Sequence, residues 1–168
     1  MKKSLLFLAF AAFAMVFVSC SKSSSNGGGG GDVNYGTITF GNQTITIVHS
    51  GYTIGYDEDL DADIIGIALA QADDEQGAAI AIPFYSTVPT GQFTLTVSEE
   101  PEDGEAGLAI VLDAAPAYVA TQGTITISQN GNNYTIDASG SSMSIMGTDV
   151  KDFTLHFTGP LPYYENEE

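Results

Sequence analysis

The sequence predicts an all-β domain, an antiparallel meander of about ten short strands that folds into a β-sandwich or a partly open β-barrel. Two observations carry this reading. From Val33 onward apolar residues alternate with polar ones, the two-residue period of strands with one buried face, and no stretch sustains a 3.6-residue period. Clusters of Gly, Pro, Asn and Asp interrupt the alternation at nearly regular intervals, as turns between short strands do.

The strands follow in order. Ile38 and Phe40 alternate with threonines, and Ile45 and Ile47 do the same after a Gly41-Asn42 turn. Ile65, Ile67 and Leu69 line one face, and Ile80, Ile82 and Phe84 line the next. Phe93, Leu95 and Val97 follow the Pro89-Thr90-Gly91 turn, then Leu108, Ile110 and Leu112. Ile125 with Ile127 and Tyr134 with Ile136 flank Asn130-Gly131-Asn132, and Phe153, Leu155 and Phe157 close the series. So many one-sided strands need a shared interior. Pro83 has no N–H to give a ladder, so its strand is expected at an edge or a bulge, which favours the open sandwich. The stretch GTITFGNQTITIVHSG echoes GTITISQNGNNYTIDASG later in the chain. Thr/Ile alternation around an Asn-Gly turn is common hairpin grammar, and the intervening segments do not match, so duplication is not inferred.

The N-terminus reads as an address. Lys2 and Lys3 precede an apolar run over residues 5–18, short for a membrane span and suited to a signal core. Ser19 and the chain's only cysteine, Cys20, end it, and the FVSC box resembles a bacterial lipoprotein signal. That resemblance implies removal of residues 1–19 and lipidation of Cys20, whose thiol has no internal disulfide partner. Two or three acyl chains would hold the protein to a membrane. Residues 21–32 are a Ser, Asn and Gly linker with an r.m.s. span of roughly 19 Å. Residues 33–164 form the single β domain, and residues 165–168 an acidic tail.

The ordered segments FGNQTITI, VPTGQFTL, GTITISQNGNNYTID and DFTLHFTGPLPYY resemble a group of uncharacterised Bacteroidetes lipoproteins. The likeness spans residues 36–164 and rests on hairpin and turn signatures, with Gln43 where Lys is common and Phe93 where Tyr is common. It implies a β-rich secreted domain at the outer membrane and no defined activity. The SKSSSN stretch after the cysteine lacks the acidic residues frequent in surface-displayed members, which leaves the periplasmic and surface faces both open.

The formal net charge is −17, and removal of the signal would leave Lys22 and Lys151 against 21 carboxylates, or −19. A surface of that sign repels phosphate backbones, so nucleic acid is not an expected partner. The densest acidic cluster, DEDLDAD, has the Asp57, Asp59, Asp61 spacing of a calcium loop, but Ala62 and Ala68 stand where an EF-hand needs Gly and Glu. It is read as a solvated loop. In a simple meander the DDEQG and EEPEDGE loops fall at one end of the fold. Asp73, Asp74, Glu99, Glu100 and Asp103 are therefore the candidates for a composite calcium site; no other cofactor is expected.

Catalysis has little support. His49 and His156 are the only histidines, both in or beside strands, where a solvent-facing ring is ordinary. No nucleophile elbow, zincin helix or phosphate loop occurs. Carboxylate pairs are inevitable with this many acids, and the absence of Trp removes the usual sugar-stacking platform. Tyr52, Tyr56, Tyr118, Tyr163 and Tyr164 read as core or rim residues. The chain is thus expected to be a lipid-anchored envelope protein, a binding or structural module with a protein or glycan partner and not an enzyme. The alternatives are a small carboxylate-dependent hydrolase and an accessory subunit of a glycan-uptake or pilus-like assembly.

Overall fold

Ile and Thr in alternation favour extended backbone because their branched side chains pack on a pleated surface. A computed structural model describes residues 34–71, 76–98, 100–112, 117–147 and 149–165, and among them there are ten strands and no helix. These are β1 (Gly36–Phe40), β2 (Gln43–Ile47), β3 (His49–Asp57), β4 (Ala62–Ala70), β5 (Gly77–Pro83), β6 (Gly91–Leu95), β7 (Glu105–Val111), β8 (Tyr118–Asn130), β9 (Asn133–Ser144) and β10 (Val150–Pro160). All belong to one sheet in the order β2-β1-β10-β9-β8-β6-β7-β5-β4-β3. Of the two predicted architectures, the chain adopts the nearly closed barrel.

Its closure can be followed residue by residue. A row of paired residues starting at Val150 passes Met143, Val119, Ala109, Ala79 and Ala68 to reach Gly51. Beside Gly51 lies Pro162, on the continuation of the strand where the row began. The path has slipped about twelve positions along the chain, the stagger that tilted strands need to close a barrel. The seam beside β3 is not a full ladder. It is stitched by Ser50 Oγ to the Pro160 carbonyl (2.7 Å), Tyr52 N–H to the Pro162 carbonyl (2.9 Å) and Tyr164 N–H to the Tyr52 carbonyl (2.9 Å).

The alternation delivers the interior. Ile38, Phe40, Ile45, Ile47, Ile65, Ile67, Leu69, Ile80, Ile82, Leu108, Ile110, Phe153, Leu155 and Phe157 join one continuous buried cluster. Phe84 does not: it has φ 71°, is 42% exposed and leaves the strand just after Pro83. Val97, also 42% exposed, lies beyond the end of β6. Pro83 does not mark an edge. β5 is interior to the sheet, and Pro83 is its last residue, beyond the final β5–β7 pair Ala81↔Gly107, where no donor is required. The antiparallel meander also fails at one point. β6 runs parallel to β7 through Thr94↔Glu105 and Leu95↔Ala106, wedged where β7 and β8 diverge.

One mouth of the interior is closed by chemistry unusual for a core. Lys151 points inward, with Nζ 5.4 Å from the Phe40 ring centroid and 5.0 Å from that of Tyr118. Its ammonium meets Asp149 Oδ2 at 3.2 Å and the Tyr118 hydroxyl at 3.2 Å, while that hydroxyl donates to Asp149 Oδ2 at 2.8 Å. The Tyr118 hydrogen bond and then Lys151 hold the Asp149 carboxyl below its ordinary 3.8; the same hydroxyl and then Asp149 raise Lys151 above 10.5. The Asp149 contribution is therefore present above pH 3.8 and lost as pH falls through its lower folded value. The Lys151 contribution is present below pH 10.5 and lost as pH rises through its higher one. Both groups are partly exposed, so each contribution is small. Tyr118→Phe should flatten both limbs of a melting-temperature-against-pH profile; unchanged limbs would remove the hydroxyl from this role.

The backbones of the two long strands β8 and β9 approach each other closely at two glycines. Gly123 pairs with Gly140 just past a bulge between Ala120 and Gln122. A Cβ on Gly140 would sit 2.1 Å from the Gln122 carbonyl oxygen, and one on Gly123 (φ 140°) 2.2 Å from that of Ser139. Gly140→Ala should lower stability by about 1–3 kcal/mol, read as an earlier urea midpoint at constant slope. Gly147→Ala, with open space at its Cβ position, should change stability by no more than about 0.5 kcal/mol.

Candidate functional site

Several carboxylates of the acidic loops bond within their own turns or to a neighbouring loop. Asp57 Oδ1 accepts from the N–H groups of Asp59 (2.9 Å) and Leu60 (3.1 Å), tightening the β3–β4 turn. Asp61, at φ 50°, accepts the Tyr56 hydroxyl, which with burial and the Asp63 charge raises the phenol above its ordinary value. Asp103 accepts the Tyr85 hydroxyl at 2.9 Å, and that bond, followed by burial, raises Tyr85 likewise. Glu105 Oε2 accepts the Glu102 N–H at 2.8 Å.

Of the five candidate calcium ligands, Glu100 and Asp103 are described, whereas Asp73, Asp74 and Glu99 lie outside the described residues, as does Cys20. The strand ends that flank the two loops do not meet. Gly77, after the β4–β5 connection, pairs with Val111 at one end of β7; Glu105, after the other loop, begins the opposite end. At about 3.3 Å per residue these ends are roughly 20 Å apart. A shared end required every strand to reverse direction, and the parallel β6–β7 pair breaks that alternation. Among the described residues no group of three or more His, Cys, Asp and Glu side chains could hold a metal.

The polar chemistry gathers instead on the outside of the sheet. Because inward positions of β1, β2, β6, β8, β9 and β10 are apolar, the alternate positions face out, and there Thr and Ser predominate. Register aligns them in rows across six strands. One row runs Thr46, Thr37, His156, Asp137, Thr126, Gln92; the next runs Thr44, Thr39, Thr154, Ser139, Thr124, Thr94. Strand spacing sets neighbours in a row about 4.8 Å apart, and the two rows are separated by about 6.7 Å.

The centre of this face is a shallow concavity of about 350 Å³, lined by Thr37, Thr124, Thr126, Asp137, Ala138, Ser139, Thr154, Leu155 and His156. At its edge His156 Nδ1 lies 2.6 Å from Asp137 Oδ1. An ionised carboxylate only accepts, so Nδ1 carries the proton and Nε2 is turned to other partners. The ring is thereby held in one tautomer and one orientation, although both side chains are more than half exposed. Flanking pairs are fixed in the same way: Thr135 to Thr158 at 3.1 Å and Ser141 Oγ to Asp152 Oδ1 at 2.6 Å. The site offers hydroxyls that donate or accept, one carboxylate and one oriented imidazole.

Sequence reasoning placed His156 on a solvent-facing strand position but did not single out Asp137 or the hydroxyl rows. The signal was available in the outward Thr and Ser of each strand. What joins them is the register across β1, β10, β9 and β8, which no local pattern states. The tyrosines fall at core or rim: Tyr118 is buried, Tyr52 packs on the core and lies 5.4 Å from Tyr163 between ring centroids, and Tyr56, Tyr163 and Tyr164 are exposed. No family model, curated protein or solved structure matches the chain.

Proposed function

We propose that the chain is an exported, lipid-anchored envelope protein whose barrel is a binding module, and that the outer face of β1, β8, β9 and β10 takes a neutral polyhydroxylated ligand of the glycan class. One observation carries the ligand reading: the hydroxyl-lined concavity with its oriented Asp137–His156 pair. Vicinal sugar hydroxyls both donate and accept, and Thr and Ser hydroxyls match either role. The open, shallow shape suits a chain that lies across the sheet more than a small molecule that must be enclosed. The anchoring reading rests on the resemblance of FVSC, ending at Cys20, to a lipoprotein signal, and on the short apolar run before it.

Two measurements test the two parts separately. Cells fed a labelled fatty acid should incorporate it into the wild-type chain and not into Cys20→Ser; equal label in both would remove the anchor. Titration of soluble oligosaccharide fractions should perturb backbone resonances at Thr37, Thr126, Ser139 and Thr154. Thr126→Val should weaken binding by about 3–10-fold, one hydrogen bond's worth. Perturbations elsewhere on the barrel, or none, would end the glycan reading. Release of shortened oligosaccharide during the titration would convert the module into a hydrolase working from the Asp137–His156 pair.

A further inference from the structure

The outer edge of β2 is left open. β2 begins the sheet order and pairs with β1 on one side only. A two-residue turn, Gly41 (φ 56°) and Asn42, joins the two strands, so Phe40 and Gln43 form the hydrogen-bonded closing pair. In an antiparallel ladder that role recurs at every second residue, so Ile45 and Ile47 also turn their backbone groups toward β1. The Ile47 carbonyl accepts from the Tyr35 N–H there, at 2.9 Å. Thr44, Thr46 and Val48 therefore point their N–H and C=O groups the other way. The Val48 N–H reaches the Ala70 carbonyl at 2.8 Å, but β4 ends at Ala70, opposite His49. Past the corner at Val48, Thr46 and Thr44 have no backbone partner on that side among the described residues, and both are exposed.

Nothing in β2 guards this edge. QTITI holds no Pro, Lys or inward-pointing charge, and no bulge breaks its register with β1. From Val33 to Tyr56 the sequence has no Asp, Glu, Lys or Arg, although the chain carries a formal charge of −17. A net charge of that size keeps copies apart, so self-association needs a contact free of it. The edge is such a contact. The carboxylates nearest to it on the neighbouring strands, Asp152 on β10 and Asp137 on β9, are two and three strands away. A free peptide added to an edge needs pockets for its alternate side chains as well as backbone partners. β2 offers none on its inner side, because Ile45 and Ile47 are 2% and 0% exposed within their own core. A second β2 arrives with its inner side chains already packed and needs only the backbone groups.

We propose that two copies of this chain pair through this edge, β2 against β2, antiparallel about a two-fold axis at Ile45. Asn42 lies in the turn and the Val48 N–H is taken, so each copy brings Thr44 and Thr46 to the contact. The axis sets Thr44 of one copy opposite Thr46 of the other, and each pair exchanges both of its N–H and C=O groups. Threonine against threonine is also a favourable cross-strand pair. The two sheets then continue one another, and the hydroxyl rows that end at Thr44 and Thr46 run on into the second copy. The pairing stands independently of any ligand those rows hold.

The full chain in a Cys20→Ala background, which removes the other thiol, carries the test. Amide hydrogen exchange at Thr44 and Thr46 should slow as protein concentration rises, while Ile45, bonded to β1, is protected throughout. Under mild oxidation, Thr44→Cys chains mixed with Thr46→Cys chains should form the mixed disulfide about tenfold faster than Thr44→Cys mixed with Thr126→Cys, since paired Cα atoms lie about 5.5 Å apart. Thr46→Pro removes an outward donor and should abolish the concentration-dependent protection of Thr44. Thr46→Lys, which keeps the donor but charges the edge, should do the same where the proline variant fails to fold. Equal crosslinking rates, or exchange at Thr44 and Thr46 that stays fast at every concentration, would overturn the proposal. Protection gained only when an extended peptide is added would assign the edge to a different partner and overturn it as well.

Discussion

Val48 makes the sheet close. β2 ends at Ile47 and β3 begins at His49, yet these are the first and last strands of the sheet order. The two edges are therefore one bent strand, and a chain that passes directly from one edge to the other cannot leave them apart. The Val48 N–H donates to the Ala70 carbonyl at 2.8 Å, so the corner itself is tied to the β4 side. Short strands then fill the gaps that a tilted, closing sheet opens: β6 between β7 and β8, and β1 along β10 below the point where β3 meets the chain end. The backbone hydrogen bonds of Tyr52 with Pro162 and Tyr164 consume part of the β3 edge that would otherwise invite pairing with another chain.

Closure explains why inward positions were readable and why the path between them was not. Ile, Leu, Val and Phe at every second residue are dictated by burial on one face, and such a pattern is local. Strand order is not local. Pro83 looked like an edge residue because proline lacks a donor, but at the last position of β5 none is called for. The parity of loop ends failed because β6 and β7 run the same way, a fact set by the wedge position of β6. β3 was missed altogether: its inward Tyr52 and Ile54 alternate with Gly51, Thr53 and Gly55, a pattern too sparse to show as a strand.

The candidate site was partly visible for the same reason. Each Thr or Ser on the outer face could be assigned outward from its apolar neighbours, and His156 was assigned that way. Asp137 lies nineteen positions from His156, and only the β9–β10 register brings them together. That register is fixed at the hairpin end where Lys151 and Asp149 meet Tyr118, so the aromatic mouth of the core and the polar exterior site are joined by one pair of strands. A change that slips β10 by one residue would bury His156 and expose Phe157, which ties the integrity of the site to the interior.

The exterior divides into sectors according to what each strand can leave in water. β4, β5 and β7 are apolar on both faces, whereas β1 and β10 alternate and β8 does so only past its bulge, Tyr118, Val119 and Ala120 before it all being buried. The acids follow a third rule. They concentrate in turns, where Asp57, Asp61 and Glu105 serve the turns themselves and Asp103 ties its loop to Tyr85, and the two hydroxyl rows carry a single carboxylate, Asp137, paired with His156. The polar face is thus nearly neutral within a molecule of formal charge −17. A field of that sign disfavours the approach of anions at every angle, while a neutral ligand feels only the local hydroxyls. Under the proposed glycan-binding role, this placement of the acids would favour neutral over anionic ligands before any contact is made.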